Sequence, residues 1–244
     1  MIWLKVAVAG QSDPLNFLLD SGAGASVLDL AAARRLGLQL RERQTVQGVH
    51  SRTVAYRVKG FAAAAAGVAM PSSLLAVDLC GASASCHQHI DGLLGADFFR
   101  DRVVQIDFAA QTIRLLQRGE VNPSGCEILP LTPRNDTFCT RLSVNGNAPE
   151  WLRLDTGCNS ALEWVVTGDK AQRLGLTTIG VNSGSVREIR TDVQLGTKRI
   201  AAVQTGIHTG QMFSGEAGLI GNGLLSRFTV TIDTARRRCL LGSR

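Results

Sequence analysis

The sequence predicts an all-β fold built from two similar halves, and three observations carry that reading. Apolar residues alternate in short runs bounded by turn residues. Four features recur in the same order in each half, and the spacing that follows the last of them is identical.

The first strand is marked by Ile2, Leu4, Val6 and Val8 on one face, and the second by Phe17 and Leu19. Later runs, Val103 to Phe108 and Phe228 to Ile232, are rich in β-branched and aromatic residues and end in turn residues. One short helix is expected in each half. The first ends at Leu36-Gly37-Leu38 and the second at Leu174-Gly175-Leu176, with the glycine as the stop signal.

The repeat begins with Asn16-Phe17-Leu18-Leu19-Asp20-Ser21-Gly22-Ala23, matched by Trp151-Leu152-Arg153-Leu154-Asp155-Thr156-Gly157-Cys158. Ala33-Arg34-Arg35-Leu36-Gly37-Leu38 is matched by Ala171-Gln172-Arg173-Leu174-Gly175-Leu176, and Gly48-Val49-His50-Ser51 by Gly180-Val181-Asn182-Ser183. Gly92-Leu93-Leu94-Gly95 is answered by Gly218-Leu219-Ile220-Gly221. From Gly95 to Asp107 is 12 positions, and from Gly221 to Asp233 is also 12. One Asp-Ser/Thr-Gly is weak, but two inside the same ordered set point to duplication. The expected boundaries are an N-terminal lobe over 1–118, a linker over 119–130 containing Asn122-Pro123-Ser124-Gly125, and a C-terminal lobe over 131–244.

Composition narrows the function classes. Of 244 residues, 45% are hydrophobic and 19% charged, the balance of a globular chain. No apolar run reaches the roughly 18 residues of a membrane helix, so no membrane span is expected. The net charge of +6 is spread evenly, with 12 basic and 9 acidic residues in 1–118 against 14 and 11 in 119–244. The cluster Arg236 to Arg238 falls in an expected hairpin turn, so nucleic acid is not an expected partner. Six cysteines form no CxxC pair and have no zinc spacing. Cys80 with Cys86, and Cys126 with Cys139, are candidate disulfides, with free thiols as the alternative. Localisation is left open, the cysteines favouring a periplasmic or secreted setting.

An Asp at the end of an apolar strand, followed by Ser/Thr-Gly, is a carboxylate on a tight turn that other backbone can approach closely. If a two-fold pseudo-axis brings the two turns together, Asp20 and Asp155 come within hydrogen-bond reach and do not both ionise easily. One then holds a proton while the other acts as a base, and the pair can activate a water against a carbonyl.

At this point the chain resembles the aspartic proteases, and in particular a retropepsin-like dimer fused into one polypeptide. Asp20-Ser21-Gly22 and Asp155-Thr156-Gly157 match the catalytic motif, and Leu93-Leu94-Gly95 and Leu219-Ile220-Gly221 match its companion hydrophobic-hydrophobic-Gly. The resemblance implies two pseudo-symmetric β-barrel lobes with a central cleft. It implies Asp20 and Asp155 as catalytic residues, with Ser21, Gly22, Thr156 and Gly157 supporting the two loops across the interface. Leu94, Gly95, Ile220 and Gly221 are the companion residues, and Gly48, Val49, His50, Val181, Asn182 and Ser183 are the flap and substrate candidates. A polypeptide bound as an extended strand is the implied substrate, with no metal or cofactor and a monomer sufficient. A catalytically silent peptide-binding module on the same fold is the alternative.

The fourth motif position holds Ala23 and Cys158, where pepsin-like enzymes place a hydroxyl. Loss of that donor raises a carboxylate pKa, so a mildly acidic to neutral working range is expected. Other residues have plainer readings. Tyr56 packs in a strand, Cys158 fills a small buried space, His50 lies on a surface loop, and His87 and His89 flank Cys86 without a ligand set. Asp107 and Asp233 begin hairpin turns.

Overall fold

The computed structural model describes residues 1–48, 52–71, 73–167 and 187–243. Its strands form three sheets, and the fold is all-β, with short helices only at sheet edges and turns. Strand Leu15–Leu19 organises the first sheet, because every one of its five residues is buried. It pairs antiparallel with Trp3–Val8 and parallel with Gly92–Leu94. Phe17 and Leu19 point into the main core, while Leu18 points to a second apolar cluster with Val77, Leu79 and Ile90. Strands Val27–Asp29, Ser73–Val77, Arg52–Lys59 and Leu40–Gln47 extend the sheet on one side, and Ala63–Ala65 and Val68–Ala69 on the other.

The second sheet repeats this plan. Glu150–Leu154 pairs antiparallel with Thr137–Val144 and parallel with Gly218–Ile220, which is followed by Leu162–Val165, Lys198–His208 and Arg187–Leu195. Pairing of Ser143 with Gln194 and Val144 with Val193 joins the ends, so six strands close into a barrel and leave no free edge between them. In the first sheet the corresponding closure runs through Val6 to Ala65 and Val8 to Ala63, with the run 52–65 broken at 60–62.

The third sheet draws on both halves, in the order Thr112–Leu116, Val103–Asp107, Thr229–Asp233, Arg238–Gly242 and Glu127–Pro130. Its centre pairs Val103 with Asp233, Gln105 with Thr231, and Asp107 with Thr229. The strands that the sequence repeat equates therefore lie antiparallel, side by side, and Gln105 donates to the Thr231 hydroxyl at 3.2 Å where the pseudo-axis passes. Part of the segment read as a linker, Glu127–Pro130, is a strand of this shared sheet.

Asp107 and Asp233 start hairpin turns. The Asp107 carboxylate accepts from the backbone of Ala109 and Ala110, and that of Asp233 accepts from the backbone of Arg236. Arg236 and Arg238 both turn back onto the buried Asp233 carboxylate, at 3.2 and 3.1 Å, which accounts for the basic cluster locally. Helix Leu30–Arg35 starts on Asp29, whose carboxylate accepts from Ala31 and Ala32, and stops at Gly37 with φ +66°.

Among the described residues, three short α-helices depart from the expectation of one per half: Cys80–Cys86, Ala96–Phe99 and Asn222–Leu225. The first is Ser-, Gly- and Ala-rich without an apolar stripe, and the other two are single turns, so none carries a readable period. The expected second helix, Ala171 to Leu176, lies outside the described residues. No disulfide forms, since all six cysteines are free thiols and Cys139 and Cys239 are buried. Among the described residues no helix is long and apolar enough to cross a membrane.

Close approach of strands at Gly218 sets a test of this architecture. Its φ is +148°, and a Cβ there would run into the Glu163 carbonyl of the paired strand. Gly218→Ala is expected to cost about 3 kcal/mol and to lower Tm by roughly 6–12 °C in thermal denaturation. An unchanged Tm would show that strand Gly218–Ile220 can move aside.

Candidate active site

Each Asp turn is held at both ends by its companion segment. The Asp20 N–H donates to the Leu94 carbonyl at 2.8 Å, and the Asp155 N–H to the Ile220 carbonyl at 2.9 Å. Beyond the turns, the Ala96 N–H donates to the Ala23 carbonyl at 2.7 Å and the Asn222 N–H to the Cys158 carbonyl at 2.8 Å. Gly95 and Gly221 sit where these chains cross, and a Cβ on either would strike backbone of the neighbouring turn.

The two turns meet through their hydroxyl residues, Ser21 and Thr156, both fully buried. The Thr156 hydroxyl donates to the Leu19 carbonyl at 2.9 Å and accepts from the Ser21 N–H at 3.0 Å. Reciprocally, the Ser21 hydroxyl donates to the Leu154 carbonyl at 2.7 Å and accepts from the Thr156 N–H at 3.1 Å. Each motif glycine then faces the opposite carboxyl: a Cβ on Gly22 would meet the Asp155 carboxyl group, and one on Gly157 the Asp20 carboxyl group. Only glycine leaves room for Asp20 and Asp155 to lie within hydrogen-bond reach of each other.

The carboxyls differ in environment. Burial pushes the Asp20 pKa up, and N–H donation from Ala23 and Gly22, the Asp155 carboxyl and the positive charge of Arg153 partly oppose it. Burial and the neighbouring Asp20 charge push Asp155 well above the ordinary value of 3.8, and it accepts from the Gly157 N–H at 2.9 Å. Both carboxyls are therefore harder to ionise than a free one, and so close a pair shares one proton rather than ionising twice.

Neither turn carries a hydroxyl at its fourth position. The Cys158 thiol lies 2.9 Å from the Ser160 hydroxyl, and burial with the Asp155 charge pushes its pKa up to about 11, so it stays protonated and is a poor nucleophile. Gly48 follows strand Leu40–Gln47 and its carbonyl accepts from the Gln47 side chain at 2.9 Å. The other flap candidates, Val49, His50, Val181, Asn182 and Ser183, lie outside the described residues. Tyr56 is half-buried in strand Arg52–Lys59. His87 ends helix Cys80–Cys86 with φ +51°, and His89 pairs with Asp91 at 3.1 Å. The described residues contain no group of three or more His, Cys, Asp or Glu able to hold a metal ion.

Sequence reasoning passed over Arg153, Glu216 and Asn222. Arg153 forks onto Glu216 at 2.7 and 2.8 Å, donates to the Gly22 carbonyl at 2.8 Å and lies 3.5 Å over the Phe213 ring. The Asn135 side chain also donates to Glu216, at 2.6 Å, and Asn222 donates to the Thr156 carbonyl at 2.7 Å. The available signal was a charge inside an apolar strand, Trp151-Leu152-Arg153-Leu154, where the first half has Leu18.

The pKa directions give a stability test. Between 3.8 and the raised folded-state value, the folded chain keeps a proton at Asp155 that the unfolded chain has lost, so stability falls as pH rises through that window. Asp155→Asn removes this contribution. Its Tm minus that of wild type is expected to grow in favour of the variant as pH rises above the ordinary value of 3.8, and to level off once Asp155 has ionised in the folded chain. A difference that stays constant with pH would show that the Asp155 proton is not held by the fold.

Comparison with known proteins reaches the first half of this site. No curated protein matches the chain. Residues 4–98 match the family model described as aspartyl protease, a span that takes in Asp20-Ser21-Gly22 and Leu93-Leu94-Gly95.

Proposed function

We propose that the protein is an aspartic endopeptidase, a single-chain, two-lobed, retropepsin-like enzyme in which Asp20 and Asp155 act together on water. The observation that carries this reading is the meeting of two unlike carboxyls across the halves, held by the Ser21 and Thr156 exchange. Asp20 is the general base and takes a proton from a water placed between the carboxyls. Asp155 donates its proton to the scissile carbonyl oxygen as the water oxygen attacks the carbon. The tetrahedral diol then collapses as Asp20 returns a proton to the leaving nitrogen, giving a carboxylic acid and an amine. Asp155 recovers its proton from the diol, so the pair ends as it began.

The substrate is a polypeptide laid as an extended strand across the cleft between lobes 1–118 and 131–244, joined through 119–130, with backbone hydrogen bonds giving most of the register. A monomer suffices, because both turns belong to one chain. Both carboxyl pKa values are raised above the ordinary value, which supports a working pH in the mildly acidic to neutral region.

Cleavage of a denatured protein from about pH 3 to 8 brackets a coupled pair, with pepstatin-type inhibition as control. Wild type is expected to cut, and Asp20→Asn and Asp155→Asn each to lose at least about a hundredfold in kcat/KM. Folded wild type without cleavage at any pH would overturn the protease reading and leave peptide binding on the same fold.

A further inference from the structure

The two Asp turns are alike in sequence and unlike in bonding. In the first, the Gly22 N–H reaches the Asp20 carboxyl at 3.0 Å, and the Ala23 N–H is shared between that carboxyl at 3.0 Å and the Asp20 main-chain carbonyl at 3.2 Å. In the second, the Gly157 N–H reaches the Asp155 carboxyl, but the Cys158 N–H turns to the Asp155 main-chain carbonyl at 3.4 Å. The first turn differs in one further respect. The carbonyl of Gly22 belongs to the same peptide unit as the Ala23 N–H, and it accepts from Arg153 Nη1 at 2.8 Å. In a trans peptide the C=O and N–H point in opposite directions, so a cation on the oxygen both orients the unit and strengthens its N–H as a donor. The repeat puts Leu18 where the second half has Arg153, and Leu18 has nothing to donate to the Gly157 carbonyl.

We propose that Arg153 is a positioning residue that makes Asp20, rather than Asp155, the ionised member of the pair, acting through the Gly22–Ala23 peptide. Arg153 is 3% exposed and held on three sides, by the Glu216 fork, the Phe213 ring and the Gly22 carbonyl. It therefore fixes the peptide rather than following it. Arg153 also acts directly, since its charge favours the ionised form of either carboxyl, Asp20 and Asp155 alike. What it does unequally is the bond through the peptide, which only Asp20 receives. Among the described residues, the other titratable groups around the pair are Glu216 beside Arg153, Cys158 on the second turn, Cys86 on helix Cys80–Cys86, and the Met1 ammonium, which donates to Asn159 at 2.9 Å. The consequence for catalysis, a fixed assignment of base and acid, rests on the proposed hydrolytic reading.

The repeat also supplies the variant. Glu216 occupies the place of Ile90, each two residues before the glycine that opens its companion strand, Gly218 or Gly92, and Ile90 packs in one cluster with Leu18. Arg153→Leu with Glu216→Ile thus copies the apolar solution of the first half, keeps the net charge, and replaces a buried ion pair by packing that is commonly neutral or stabilising. Asn135 keeps its bond to the Ser214 carbonyl.

The experiment is a pH titration of the whole chain by carboxyl ¹³C NMR with labelled aspartate, Asp20 and Asp155 being assigned from their Asn variants. In wild type, Asp20 is expected to ionise in the first step and Asp155 in the second. In the double variant the first step is expected to rise by about one pH unit, a tenfold change in proton affinity, and both carboxyls to share it. Arg153→Lys is the second variant, because one ammonium cannot keep the Glu216 fork and the Gly22 bond together. It is expected to shift the same way and stands in should the double variant fail to fold. A first step unchanged from wild type, and still carried by Asp20, in a folded variant overturns the proposal. The titration needs no turnover: a shifted first step in a protein that cleaves nothing refutes the protease reading and supports this one. Cleavage by wild type with an unshifted first step does the reverse.

Discussion

The exchange of hydrogen bonds between Ser21 and Thr156 is the constraint on which the rest of the molecule depends. Two carboxyls drawn together out of water repel one another as soon as both ionise, and desolvation adds to the cost. Something must hold them there, and flexible side chains do not suffice. Here the contact is made by buried hydroxyls on main-chain groups of the opposite turn, so it fixes backbone to backbone. Each such bond contributes only about 1 kcal/mol net, yet leaving any one of these buried groups unpaired costs more. The turns therefore separate only at the cost of several unpaired groups at once.

The sheets transmit that constraint. Each turn grows from a strand flanked on both sides, and each companion segment grips its turn before and after the Asp. The shared third sheet places the two halves about the same pseudo-axis through the pairing of Val103–Asp107 with Thr229–Asp233. The site is thus held from the interface between the turns and again from the sheet shared by both halves.

The symmetry is broken in a consistent place. Strand pairing equates Leu18, Val27, Val77 and Ile90 of the first half with Arg153, Glu163, His208 and Glu216 of the second. One set is an apolar cluster, and the other is an ion pair, Arg153 with Glu216, and a hydrogen-bonded pair, His208 with Glu163. A buried ion pair contributes less to stability than apolar packing of similar size. The second half therefore carries polarity in its interior next to one carboxyl, and the two halves offer the pair unlike surroundings.

Much of this was legible in the residues. The ordered repeat located both Asp turns and their companion glycines, and Gly37 stops a helix as expected. The helix Cys80–Cys86 was not legible, because its residues have no apolar period and none of them is buried. Nor was the strand Glu127–Pro130, whose partner Arg238–Gly242 lies more than a hundred residues away. Local pattern determined where the carboxyls are, since a turn motif is a matter of a few adjacent residues. Only the tertiary structure decided how they differ, because the burial, the Arg153 contact and the opposing charge all arise between segments that the chain order keeps far apart.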